Sequence, residues 1–127
     1  MTRLEVLRIC KHPLIPRLIN IHETTDNFYI AQEPTEGGDL ASYFQREGIT
    51  EKVVAHILSQ MAEILCFLSK MNIVVGNLKL QSFFLAEAIS PSDFTTLPQI
   101  RLVDLSEAII LTPHSNPSAM YTLYSAP

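Results

Sequence analysis

The clearest pattern of apolar and polar positions lies between residues 50 and 71. Apolar residues recur there with the 3.6-residue period of an α-helix, and no Pro or Gly interrupts them. Thr50 can cap the first turn, and Lys70 in the last turn suits the helix dipole. The pattern predicts a long, buried amphipathic helix whose apolar face consists of Val54, Ile57, Leu58, Met61, Leu65 and Leu68.

Shorter patterns precede this helix. The stretch "RLEVLRIC" places Leu4 and Leu7 on one face of a helix, which "KHP" ends. The stretches "LIPRLINIHET" and "DNFYIAQE" are each typical of a strand, and the polar turn "TTDN" joins them. A break rich in Pro and Gly, "PTEGGDL", comes before a short helical segment that we expect to end at Gly48.

Polar side chains follow apolar elements in the second half of the chain. The strand-like "NIVV" breaks at Gly76, and Asn77 and Lys79 come next. A short apolar run, "FFL", and a polar loop lead to "IRLVDL", which alternates as a strand does and carries Asp104. Because binding and catalytic groups are often carried by loops at the ends of buried elements, these three polar residues are candidates for a site.

Composition limits the classes of protein that fit. The chain has 127 residues, of which 47% are hydrophobic, enough for one small domain that buries about 65% of its unfolded surface. The formal charge is −4 and no run of Lys or Arg occurs, so we expect no nucleic-acid partner. The apolar runs are too short to predict a membrane span. Cys10 and Cys66 lie in apolar patterns, which predicts reduced core residues of a cytoplasmic protein.

Five stretches of the chain occur in the order and at the spacings of the middle of a protein kinase domain. "LEVLRICKHPLIPRL" resembles the end of the family's C-helix and the next strand, and "FYIAQEPTEGGDLASYF" resembles the fifth strand, the hinge and the first large-lobe helix. "VVGNLKLQS" stands at the place of the catalytic loop and "VDLSEA" at that of the D-F-G motif. "YSAP" resembles the start of the motif that closes the activation segment.

The resemblance implies an α+β, partial protein-kinase-like fold in a single domain. Residues 1–35 would form a remnant of the small lobe, a helix plus antiparallel strands, together with the hinge. Residues 36–127 would form the helical front half of the large lobe. The alternative, an unrelated α+β domain, leaves five ordered landmarks as coincidence.

The resemblance also implies positions for ATP. Glu33 and Thr35 match the hinge residues that contact adenine through the backbone, and Pro34 between them lacks an N–H donor. Asp39 matches the acid that binds the ribose, and Phe84 matches the apolar floor under the base. We expect ATP binding to be weak or absent.

The catalytic positions depart from the family's pattern. The Asp that orients the nucleophile falls on Asn77, whose amide cannot accept a proton. Lys79 matches the Lys that reaches the transferred phosphate. Asp104 matches the Mg²⁺-binding Asp of D-F-G, whereas the second metal ligand falls on Ser82, a weaker ligand. The Gly of D-F-G falls on Ser106.

Two functions remain open at this point. The first is a pseudokinase, a kinase fold that acts as a binding, scaffolding or regulatory module toward protein partners. The second is part of a residually active Ser/Thr protein kinase that uses ATP and Mg²⁺. The family's Gly-rich loop and strand-3 Lys have no counterpart here, so we expect the chain to be part of a longer kinase-like protein. Ser115, Ser118, Tyr121, Thr122 and Tyr124 are candidate phosphorylation sites in the tail.

Overall fold

The computed structural model describes residues 2–93 and 95–111, so the candidate phosphorylation sites and "YSAP" lie outside the described residues. The helices are α1 (Thr2–Ile9), α2 (Leu40–Tyr43) and α3 (Glu51–Lys70), and a 3₁₀ turn (Leu80–Ser82) follows. The strands are β1 (Leu18–Glu23), β2 (Phe28–Gln32), β3 (Ile73–Val74), β4 (Phe83–Leu85), β5 (Ile100–Leu102) and β6 (Ile109–Ile110).

The long helix α3 begins and ends as the sequence predicts. The Thr50 hydroxyl accepts a hydrogen bond from the Val53 N–H at 3.3 Å, which caps the first turn. At the other end Asn72 adopts a left-handed conformation with φ of 57°, and its N–H donates to the Ser69 carbonyl. The chain therefore turns directly from α3 into β3, and α3 packs against β3 and β5.

The buried face of α3 differs from the predicted one. Leu58, assigned to the core, is 56% exposed, and Leu65 is also exposed. The predicted stripe was wrong because a polar residue, Gln60, occupies a central position of the real one. Ile57 and Leu68 belong to both stripes. The buried residues of α3 are Val53, Ile57, Gln60, Ile64 and Leu68.

Gln60 lies in the core with its side-chain groups bonded. Its Nε2 donates to the Pro98 carbonyl at 2.8 Å, and its Oε1 accepts from the Ile100 N–H at 3.0 Å. These two bonds join the middle of α3 to the start of β5. The buried Gln60 amide is thus the hydrogen-bond partner of one backbone carbonyl and one backbone N–H. By length and composition alone α3 could cross a membrane, but these bonds identify it as the core helix of the fold.

The strands form three antiparallel pairs. β1 pairs with β2, as predicted for the two strands that precede the Gly-Gly break. β4 pairs with β5, and β3 pairs with β6. The sequence pattern predicted neither β6 nor its pairing, because two residues are too few to show alternation. The short helix after Asp39 ends at Tyr43 rather than at Gly48, and Gly48 instead takes a φ of 82° in the following turn.

The loop after α1 is fastened to α3 by a histidine. His12 accepts the Leu14 N–H at Nδ1, and its ring lies 4.9 Å from that of Phe67. Its Nε2 lies 3.5 Å from a Glu63 carboxylate oxygen. His12 therefore links the loop after α1 to the long helix α3.

Aliphatic residues from both parts of the chain share one core. The resemblance assigns Leu7, Leu18, Val75 and Leu105 to the stacked apolar spine of the kinase fold. Leu7, Val75 and Leu105 are buried in that core, and Leu18 is half-buried against it. Cys10 is also buried and its thiol is free, but Cys66 is exposed, so the expectation that both lie in the core was wrong for Cys66.

Candidate nucleotide and catalytic site

Two glycines set the path of the hinge-like segment across β4. The Gly37 N–H donates to the Leu85 carbonyl at 3.1 Å, and the Leu85 N–H donates to the Gly38 carbonyl at 2.9 Å. A Cβ on Gly37 would lie 2.3 Å from the Leu85 Cβ, and Gly38 has a φ of 79°, so each position requires glycine. This pairing brings Asp39 beside Phe84, two of the residues predicted to bind nucleotide.

Glu33, the first residue of the predicted hinge, is held by the guanidinium of Arg101 and by the backbone of Arg17, from two other segments. The Glu33 Oε1 lies 3.4 Å from Arg101 Nη1, and its Oε2 accepts the Arg17 N–H at 3.4 Å. The Glu33 N–H donates to the Arg17 carbonyl. Arg101 also donates to the Pro34 carbonyl at 3.3 Å. Arg101 was not predicted as a site residue; it sits at the centre of β5, opposite Phe84 in the β4–β5 register.

Asp39 caps α2 with the carboxylate that was predicted to bind ribose. Its Oδ1 accepts the Ser42 hydroxyl at 2.6 Å and its Oδ2 accepts the Ser42 N–H at 3.2 Å. The bonded Ser42 hydroxyl lowers the pKa of Asp39. A ribose hydroxyl would have to share this carboxylate with the cap, and Thr35 lies half-buried earlier in the same segment.

The loop between β3 and the 3₁₀ turn carries the two predicted catalytic residues. Gly76 takes a φ of 88°, so the chain reverses there in a conformation that favours glycine. Asn77 is half-buried, and its Oδ1 is enclosed without a hydrogen-bond partner among the described residues. Lys79 is half-buried, and its carbonyl accepts the Ser82 N–H.

The backbone brings the two predicted metal-binding positions together. The Ser82 carbonyl accepts the Val103 N–H at 2.9 Å and the Asp104 N–H at 3.4 Å. Asp104 Oδ1 accepts the Ser106 N–H at 3.0 Å and also the Ser106 hydroxyl. The residue that replaces the Gly of D-F-G therefore supplies two donors to the carboxylate that would bind metal.

The donors at this point fit Mg²⁺ poorly. Ser82 is fully buried, and its hydroxyl has no hydrogen-bond partner among the described residues, so it faces packed atoms rather than an open site. Within residues 2–93 and 95–111 no group of three or more His, Cys, Asp or Glu side chains could hold a metal ion. Mg²⁺ needs near-octahedral oxygen coordination, whereas Asp104 already accepts two bonds at one oxygen.

Comparison with known proteins decides the family. The model of the protein kinase domain matches residues 1–127. This chain belongs to the protein kinase domain family. The expected α+β, partial kinase-like fold is thereby confirmed, and the five landmarks are not coincidence.

Several curated relatives of the chain are named serine/threonine-protein kinases. It is 31% identical over 130 residues to serine/threonine-protein kinase ATG1c of Arabidopsis thaliana, and 30% identical over 130 residues to serine/threonine-protein kinase ULK3 of Homo sapiens. It is 32% identical over 88 residues, 68% of this chain, to calcium/calmodulin-dependent protein kinase type 1B of Rattus norvegicus. The first two matches cover 100% of this kinase-like chain, but only 17% and 26% of the relatives.

Proposed function

We propose that this kinase-like chain is a pseudokinase module, which binds protein partners and does not transfer phosphate. One observation carries the proposal: Ser106 donates two hydrogen bonds to the Asp104 carboxylate, beside a buried Ser82. Phosphoryl transfer depends on metal ions that neutralise the phosphates. Among residues 2–93 and 95–111, this site offers one engaged carboxylate and no second family ligand that is exposed, so it does not supply that charge stabilisation.

The nucleophile position supports the same proposal. Asn77 stands at the position of the general base, and an amide cannot take the proton of a substrate hydroxyl. Loss of a general base commonly lowers the rate by about 10² to 10⁴. The two defects act on different steps, the proton acceptance and the metal binding, so restoring one of them would not restore transfer.

A residually active Ser/Thr kinase that uses ATP and Mg²⁺ is the second candidate. Lys79 and Asp104 are retained at two catalytic positions, and the relatives named above are Ser/Thr kinases. Lys79 would contact the transferred phosphate, and Glu33, Thr35, Asp39 and Phe84 would hold the nucleoside. Mg²⁺, when bound, would neutralise phosphate charge.

Thermal unfolding and phosphate transfer distinguish the two candidates. Melting of the chain is measured with ATP and Mg²⁺, with ATP and EDTA, and without nucleotide, and transfer to protein substrates is measured in parallel. We expect no rise in melting temperature that depends on Mg²⁺, because the metal site is incomplete, and no transfer. The proposal fails if Mg·ATP stabilises the chain and transfer is lost in Asp104→Ala but kept in Asp26→Ala, a control in the exposed β1–β2 turn.

A further inference from the structure

A cavity of about 770 Å³ lies beside the start of the predicted hinge. It is open to solvent and is lined by the end of α1, the loop between α1 and β1, the start of the predicted hinge, and β5 with the residue before it. Its volume is within the range of about 300–1,000 Å³ that is typical of ligand sites. Of the residues predicted to bind nucleotide or metal, Glu33 lines it, whereas Thr35, Asp39, Phe84 and Asp104 do not. The cavity therefore adjoins the predicted nucleotide site at one residue and extends away from it.

The cavity concentrates positive charge in an acidic chain. Four residues with cationic side chains are among its lining residues, from α1, from the following loop and from β5: Arg8, Lys11, Arg17 and Arg101. The chain has nine Lys and Arg in all and a formal charge of −4. Glu33 is the carboxylate residue among the lining residues, and it already pairs with Arg101. An anion near this surface therefore meets an excess of positive charge.

Most of these cations are not neutralised within the fold. Among the described residues, no carboxylate lies within ion-pair distance of the side chains of Arg8, Lys11 or Arg17. Arg8 lies in the last turn of α1 and Lys11 in the loop that follows, and both are exposed, as is Arg17. Their charges can accept a ligand without first breaking an ion pair of the protein.

The floor of the cavity is apolar. Leu7, Cys10 and Ile15 line it and are buried, and Leu18 is half-buried. Burial raises the pKa of the Cys10 thiol to about 11, so this side of the cavity carries no charge at neutral pH. A ligand that fits must combine negative charge with apolar surface.

We propose that this cavity binds an acidic peptide segment of a partner protein, in which carboxylates alternate with large apolar side chains. The cations come from three separate segments of the chain, which favours several negative charges along an extended ligand over one compact anion. The apolar side chains of the peptide would cover the aliphatic floor. Gln99 and Arg101 line the cavity together with residues 7–18. A bound peptide would therefore contact both the N-terminal segment and β5.

The inference does not depend on the nucleotide site, since these contacts are the same whether or not Asp104 binds metal. The probe is a short fluorescein-labelled peptide in which Glu alternates with Leu and Phe, and binding is measured by fluorescence anisotropy. One comparison peptide has Gln for Glu, and another has Ser for Leu and Phe. We expect both to bind at least about tenfold more weakly, because charge and apolar contact are both required.

Charge reversal locates the site. In Arg8→Glu/Lys11→Glu we expect at least about tenfold weaker binding of the acidic peptide. Added salt should weaken peptide binding more steeply in the unmodified chain than in this variant. Lys52→Glu/Lys70→Glu is the matched control, since these exposed lysines lie on α3 outside the cavity and the net charge changes equally. If the reversal variant does not fold, Arg8→Gln/Lys11→Gln serves, with an expected loss of about threefold.

Three results would overturn the proposal. Equal weakening of peptide binding in the cavity variant and in the α3 control would show general electrostatic attraction to the chain and no defined binding site. Binding of the Gln peptide as tightly as the Glu peptide would remove the role of charge. Competition by sodium octanoate at the same affinity would identify a small amphipathic anion, not a peptide, as the ligand. In the supporting case the acidic peptide also raises the melting temperature of the chain, in proportion to its occupancy.

Discussion

Gln60 and Ser82 are both buried polar side chains, but the fold treats them differently. Gln60, 7% exposed, bonds the Pro98 carbonyl and the Ile100 N–H and so joins α3 to β5. Ser82, with no exposed surface, has a hydroxyl without a partner among the described residues. The structural helix keeps its polar group satisfied, whereas the residue at a family metal position does not. Under the proposed pseudokinase function, packing has been retained where catalytic chemistry has not.

The largest effect should come from removing core packing in α3. Ile57 is fully buried, while the adjacent Leu58 is 56% exposed. We expect Ile57→Ala to lower the free energy of unfolding by about 2–5 kcal/mol, because it leaves a cavity. Leu58→Ala, measured in the same urea titrations, should change it by less than about 1 kcal/mol. Equal losses would contradict the assignment of the buried face.

Gln60→Leu tests the buried polar side chain whose hydrogen bonds are satisfied. The substitution keeps the apolar packing but leaves the Pro98 carbonyl and the Ile100 N–H without their partner. We expect a loss of about 2–4 kcal/mol in the free energy of unfolding. Gln81→Leu, at an exposed position next to Ser82, is the matched control. A neutral Gln60→Leu would show that the amide does not join α3 to β5.

Ser82→Ala tests the buried hydroxyl that has no hydrogen-bond partner among the described residues. Removing a buried hydroxyl that has no partner should leave the free energy of unfolding unchanged, or raise it by less than about 1 kcal/mol. The measurement is again urea unfolding, with Ser59→Ala on the exposed face of α3 as the reference. A loss above about 2 kcal/mol would mean that the hydroxyl has a partner, and the contrast with Gln60 would fall.

The smallest effect concerns Asp39 at the start of α2. Its pKa is lowered from 3.8 by the bonded Ser42 hydroxyl. The charged carboxylate therefore adds stability that is present above pH 3.8 and is lost as the pH falls through the lower pKa of the folded chain. Asn also caps helices but does not titrate in this range. The melting temperature of the unmodified chain should exceed that of Asp39→Asn at pH 6, and the difference should shrink toward pH 2.

Much of the fold followed from local pattern. The capped helix at residues 51–70, the β1–β2 pair and the glycines at the hinge were predictable because helix period, strand alternation and conformational demands are local properties. The order of the landmarks also predicted the family. The face of α3 was not predictable in the same way: Gln60 interrupts the apolar stripe, and its burial depends on Pro98 and Ile100, some forty residues away.

The candidate site was likewise predictable in part from the sequence. The residue types at Asn77, Ser82 and Ser106 already predicted a weakened catalytic apparatus, because side-chain chemistry is written in the sequence. The bonds from Ser106 to Asp104, two residues apart, are local. That the Ser82 hydroxyl is enclosed depended on tertiary packing, in which the 3₁₀ turn bonds the segment after β5.

The distribution of charge shows most plainly what the sequence determined and what the tertiary structure decided. The sequence by itself determined an acidic chain with the landmarks of a kinase domain and no run of cations. The tertiary structure alone placed Arg101 around the same cavity as Arg8, Lys11 and Arg17, by folding β5 against the loop that follows α1. Cations far apart in the chain produce a common field only when packing reduces their separation to within the screening length of about 10 Å.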